Sequence, residues 1–250
     1  MRPRWDDGPA ELVLVRHGES VGNRADAAAH EAGSEVLDLS VRDADVELSG
    51  TGRAQAAALR TWLADQDGAA VPTVVVSSPY RRAAETAAIA LDGLGPAVDH
   101  DERLRERDLG LFDGLTGLGI RTRHPEEAER RRKLGKFYYQ PPNGESWADV
   151  AVRVRSLLTD LRHGYDGERV WLFSHQAVIM TFRYVLEGID EADLLELDRG
   201  TRVPNASVTR YRRSGRYLDL ESFADTTAVD RVDVEVTHEQ PQRGRGDDAH

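Results

Sequence analysis

Three short, continuously apolar runs stop abruptly at polar residues, and this feature narrows the possible folds more than any other. They are Glu11 to Val15 (ELVLV), halting at Arg16, His17 and Gly18; Thr73 to Val76 (TVVV), halting at Ser77, Ser78 and Pro79; and Arg169 to Ser174 (RVWLFS), halting at His175. A strand apolar at every position needs cover on both faces of its sheet. Helical spacing supplies that cover. Helices are predicted from Ser49 to about Leu63, from Arg81 to Leu91, from Ser146 to Arg162 (with Val150, Val154, Leu157, Leu158 and Leu161 on one face) and from Val178 to Leu186. Strands alternating with helices predict an α/β domain, a three-layer sandwich with a mostly parallel central sheet and helices on both faces. Ligands in such sheets bind beyond the carboxyl ends of the strands, so His17, the Arg81–Arg82 pair and His175 are expected to converge on one edge.

Between these elements the signals are weaker. Residues 22–47 are polar and Ala-rich without a firm period, which predicts a long loop with one short helix at most. Arg103 to Gly119 is punctuated by Gly110, Gly114, Gly117 and Gly119 and reads as loop, followed by a charged surface helix over 124–134. Ser207 to Tyr211 and Arg216 to Leu220 resemble two strands turning at Ser214-Gly215. No linker interrupts the middle, so residues 1–223 are expected to form a single domain. Residues 224–250, ending QPQRGRGDDAH, are expected to be a flexible tail.

Composition excludes several classes of function. A formal charge of −11 disfavours nucleic acid and anionic membranes as partners, because both require a dominant cationic surface. The chain has no cysteine, which removes disulfides, thiolate metal sites and thiol catalysis. No run approaches the roughly 18 apolar residues of a membrane span, and the start MRPRWDDGPA lacks a signal-peptide core, so a cytoplasmic location is expected.

What remains at the strand ends is suited to phosphate chemistry. Phosphoryl transfer needs cationic donors on the equatorial oxygens, a nucleophile in line with the leaving oxygen and an acid to protonate it. Arginine meets the first need with a planar, permanently charged fork. A neutral imidazole meets the second, and nearby arginines favour the neutral form. Glu106 is a candidate for the third.

The run LVRHGES at 14–20 resembles the signature of the histidine phosphatase superfamily, which includes the cofactor-dependent phosphoglycerate mutases. Further matches follow in order along the chain. LSGTGRAQA at 48–56 is similar to the family's L-S/T-x-x-G-x-x-Q-A stretch, and SSPYRRAAET at 77–86 to its S-P-x-x-R-A-x-x-T motif, which selects Arg82 over Arg81. LRERDLGLFDG at 104–114 resembles the segment bearing the proton donor, while NGES at 143–146 and FSHQ at 173–176 resemble later blocks. The resemblance implies that His17 becomes phosphohistidine, that Arg16, Asn23, Arg82 and His175 surround the phosphate, and that Glu106 acts as acid and then base. It also implies catalysis by His17, Glu106 and His175 with no metal and no cofactor.

The predicted activity is hydrolysis of small phosphomonoesters, with a small phosphorylated substrate as partner. Two other functions follow from the same residues: mutase-type phosphotransfer, or a phosphate-binding regulatory protein with little turnover. Phosphoglycerate mutases open a Glu-Arg-x-Tyr-Gly block with the proton donor, whereas here Leu109 stands at the Tyr position. The identity of the substrate and the choice between monomer and homodimer stay open.

Overall fold

The computed structural model describes residues 2–66 and 71–238. Among these residues a six-stranded sheet runs in the order β3-β2-β4-β1-β5-β6. The strands are β1 Glu11–Arg16, β2 Val74–Ser77, β3 Val98–His100, β4 Arg169–Ser174, β5 Val208–Ser214 and β6 Tyr217–Asp225. β3, β2, β4 and β1 are parallel neighbours, whereas β5 and β6 add an antiparallel hairpin beyond β1. The sheet is therefore mixed and mostly parallel, as the apolar runs predict.

Side-chain alternation explains why those runs are apolar throughout. Leu12 and Leu14 of β1, with Val170 and Leu172 of β4, pack on one side against α6 (Trp147–Gly164), α7 (Gln176–Glu187) and α8 (Glu191–Gly200). Val13 and Val15, with Trp171 and Phe173, face the other side, where α2 (Gly50–Ala64), α3 (Arg81–Ala90) and α9 (Thr227–Asp230) lie. Each strand thus feeds two cores, and burial on both faces leaves no position for a polar residue until the strand ends. No helix among the described residues is long and apolar enough to cross a membrane.

Several elements differ from expectation. The expected loop at 22–47 opens with a three-turn helix, α1 (Val21–Ala32). Its signals are local: a capping box between Ser20 and Asn23 starts it, and Gly33 in the left-handed conformation ends it at φ 62°. Only Ala29 of α1 is buried, so no apolar period betrays the helix. The helix expected over 124–134 is α5 (Pro125–Leu134), preceded by a separate α4 (Gly117–Arg123) in the expected loop, with Pro125 in the first turn of α5. Residues 224–238, assigned to the expected tail, hold the end of β6 and α9, whose Ala228 and Val229 are buried in the α2-side core. Residues 239–250 lie outside the described residues.

Candidate active site

Because β2, β4 and β1 are consecutive in the sheet, their carboxyl ends emerge side by side. The ladder continues one residue past each end: His17 N–H donates to Ser174 O at 3.0 Å, and Ser78 N–H donates to Phe173 O at 2.9 Å. His17, Ser78 and His175 therefore leave the sheet at one level. The two imidazole centroids lie 5.1 Å apart with their planes tilted by 58°, and both rings are buried.

The turn after β1 sets the protonation pattern of His17. Its Nδ1 lies 2.7 Å from Gly18 O, and a carbonyl can only accept, so Nδ1 carries the hydrogen and Nε2 keeps its lone pair. Gly18 N–H donates to Thr86 Oγ1 at 3.0 Å, and the Thr86 hydroxyl donates to Arg82 O, which ties this turn to α3. The start of α2 closes on the same turn. Ser49 Oγ caps α2 by accepting from Gly52 N, and Gln55 Oε1 accepts from Glu19 N at 2.8 Å. A Cβ on Gly52 would fall 1.9 Å from Glu19 O, so only glycine permits this approach. The Ser, Gly and Gln of the LSGTGRAQA stretch thus all support the nucleophile turn.

Arg16 and Arg82 supply the positive field. Arg16 is fully buried, and its guanidinium donates to Val203 O. Arg82 reaches from the first turn of α3, stacks over Tyr80 at 5.4 Å and holds Asp43 in a two-pronged pair, Nη1 to Oδ1 at 2.9 Å and Nη2 to Oδ2 at 3.2 Å. Its neighbour Arg81 turns outward instead and pairs with Glu85 and Glu47, each at 2.8 Å. His175 Nε2 meets Ser78 Oγ at 2.9 Å, and the ring stands edge-on to Tyr80.

Burial, then the charges of Arg82 and Arg16, hold the His17 pKa well below its ordinary 6.5, against a smaller opposing effect of the Gly18 carbonyl. Burial, Arg82, His17 and Arg16 depress His175 in the same direction. Both rings are consequently neutral near pH 7, which is the form an attacking imidazole requires.

Glu106 and Asn23 are tied to the segments that carry the two histidines. Ser174 Oγ donates to Leu104 O at 2.8 Å and pins the segment bearing Glu106 to the end of β4. The Glu106 carboxylate accepts from Arg107 N at 2.8 Å, and its other oxygen lies 3.5 Å from Ala177 N in the first turn of α7. Asn23 Oδ1 accepts from Ser20 N and Ser20 Oγ, both at 3.1 Å, and from Asn205 Nδ2 at 3.3 Å. Three residues here escaped sequence reasoning. Ser78 and Thr86 lie inside a recognised motif but carry no signal of their own, and Asn205 was hidden in the turn before β5, where Pro204-Asn205 suggests only a change of direction.

Comparison with known proteins gives four consistent matches. A family model described as histidine phosphatase superfamily (branch 1) matches residues 12–226. A bifunctional protein of Mycobacterium tuberculosis is 36% identical over 189 residues, covering 74% of this chain and 47% of its own length. The chain thus spans about half the length of that relative. A 2,3-bisphosphoglycerate-dependent phosphoglycerate mutase of Methylobacterium radiotolerans is 31% identical over 198 residues, covering 77% of this chain and 86% of the mutase. Among solved structures, a mycobacterial glucosyl-3-phosphoglycerate phosphatase in complex with inorganic phosphate superposes with a TM-score of 0.67 at 28% identity, covering 87% of this chain and 98% of that one.

Proposed function

The chain belongs to the histidine phosphatase superfamily, and we propose that it hydrolyses small phosphomonoesters through a phosphohistidine on His17, without a metal ion. One observation carries this reading: the His17 ring is tied at Nδ1, which leaves the lone pair on Nε2, with the His175 ring 5.1 Å away and the charges of Arg82 and Arg16 acting on it.

In the first step Nε2 of His17 attacks phosphorus and the bond to the ester oxygen breaks. Glu106, protonated, donates its hydrogen to the departing alkoxide. Arg16, Arg82, His175 and the amide of Asn23 balance charge on the equatorial oxygens. In the second step Glu106, now a carboxylate, takes a proton from water as its oxygen attacks phosphorus, and the P–N bond breaks to restore neutral His17. Arg82 enters this cycle already paired with Asp43, so an arriving phosphate shares or displaces that carboxylate.

Leu109 in place of the mutase Tyr favours water over a second alcohol as the acceptor. Phosphorylated sugar acids, including glucosyl-3-phosphoglycerate, are the first compounds to screen, because a phosphatase of that substrate is among the structural relatives. The experiment measures phosphate release from these compounds and from 4-nitrophenyl phosphate, with and without EDTA. Release unaffected by chelator is expected. Isomerisation of 3-phosphoglycerate outpacing phosphate release would replace hydrolysis with the mutase reading, and complete loss under EDTA would remove the metal-free scheme.

A further inference from the structure

A chain of hydrogen bonds with one allowed direction links the last described residues to the nucleophile. Its first link is Glu19, two residues beyond His17, whose backbone N–H can only donate and does so to Gln55 Oε1 at 2.8 Å. The Gln55 amide nitrogen must therefore face the other way, where it donates to Glu235 O at 2.7 Å and to Thr237 Oγ1 at 3.0 Å. With that oxygen already accepting, the single hydroxyl hydrogen of Thr237 goes to Asn205 Oδ1 at 3.1 Å. Asn205 N–H in turn donates to Thr237 O at 2.9 Å, so the two residues grip each other twice.

Orientation now passes to the active site. With its oxygen turned to Thr237, fully buried Asn205 presents Nδ2 to His17 O at 3.1 Å and to Asn23 Oδ1 at 3.3 Å. Ala206 N–H adds a second bond to His17 O at 3.1 Å. Asn23 Oδ1 also accepts from Ser20 N–H and the Ser20 hydroxyl, which fixes which end of the amide is oxygen, and the Asn23 NH2 group makes no hydrogen bond among the described residues. It is the end of the amide left to face a phosphate oxygen.

We infer that Asn205, oriented by Thr237 of the C-terminal segment, is a positioning residue that holds the His17 turn and aims the amide hydrogens of Asn23 into the phosphate cradle. The inference rests on His17 being the nucleophile. It extends the machinery into residues 234–238, which lie more than two hundred positions from that histidine in sequence. Val234 and Val236 anchor the segment by packing on the α2-side core, so Thr237 is delivered by apolar burial.

The test uses the full chain. Thr237→Val keeps the shape of the side chain and removes the hydroxyl, and it is expected to lower kcat about tenfold while the melting temperature stays near that of the wild type. Thr237→Ser, which keeps the hydroxyl, should restore kcat to within about twofold. Asn205→Asp, which puts a second acceptor against His17 O and Asn23 Oδ1, should lower kcat further and can also destabilise the fold, so Thr237→Val remains the deciding variant. In an Asn23→Ala background the Thr237→Val effect should shrink, because its target amide is gone. Wild-type kcat and KM in Thr237→Val, or the same fold-loss with and without Asn23, would overturn the inference. His17→Ala is the control: if it retains turnover, the nucleophile assignment fails, whereas an inactive His17→Ala beside a silent Thr237→Val removes only the positioning role.

Discussion

His17 and His175 come from the ends of adjacent parallel strands, and their separation follows from the strand ladder; the acidic groups opposite them come from short turns held by side chains. Asp43 lies in a 3-10 turn and reaches the site only through its pair with Arg82. Asp108 and Asp113 flank another such turn at Gly110–Phe112, and burial, then the charges of Asp43 and Asp108, push up the pKa of the half-buried Tyr80. The imidazole floor is thus fixed by main-chain bonds at the ends of a doubly covered sheet, whereas the acidic side is held by local hydrogen bonds, Asp43 on Arg82 and Asp108 on Gly110 N–H. Chemistry common to a family belongs on the first kind of support, and choice of substrate on the second.

The largest expected effect tests the floor. His17→Ala should cut phosphate release by about four orders of magnitude and abolish covalent labelling by a phosphorylated substrate; turnover near the wild-type rate would place the nucleophile elsewhere. Glu106→Gln keeps the side-chain shape and removes the proton, so turnover should fall by about a hundredfold, with less loss for esters whose leaving alcohol is acidic. An equal loss for all leaving groups would contradict its role as the acid.

A smaller effect tests the acidic side. Asp43→Asn removes a charge that competes for Arg82 and repels phosphate, so inorganic phosphate should inhibit about fivefold more tightly with kcat little changed. Unchanged inhibition would mean that Arg82 meets phosphate without disturbing Asp43. The smallest effect concerns pH. His17 and His175 have folded pKa values below 6.5, so below pH 6.5 the unfolded chain binds more protons than the folded one. Their stabilising contribution is complete above that value and declines as pH falls toward the folded values. The melting temperature should drop by a few degrees, roughly, between pH 7.5 and 5.5, and by less in His175→Asn. Bound phosphate should oppose the drop, because an anion in the cradle favours both imidazolium forms.

The sheet was legible in sequence to the extent that burial was uniform along each strand. β1, β2 and β4 are apolar on both faces and stand out, whereas β3 is three residues at the edge, two of them exposed, and leaves no pattern. The one short helix allowed within 22–47 could not be placed or given its length, because a single Ala is the only buried residue of α1, even though Ser20 and Gly33 mark both its ends. At the site, His17 and His175 directly follow strand ends, Arg16 closes β1 and Arg82 lies in the first turn of the helix after β2, so all four could be named from that placement and the motifs around them. Asn205 and Thr237 could not, since an Asn in a turn and a Thr in a polar stretch are ordinary residues until something is packed against them.

Sequence alone therefore determined which residues form the central strands, that both faces of the sheet are covered, and that imidazole and guanidinium groups stand where the strands stop. These properties are written in local order, through the two-residue period of a strand and the demand that every buried backbone group find a partner. Only the tertiary structure decided that Asp43 occupies Arg82, that Ser78 meets His175, and that the C-terminal segment reaches the nucleophile turn through Asn205. Those pairings join side chains far apart in the chain, and their geometry exists only after the two cores have packed and brought the partners within hydrogen-bonding distance.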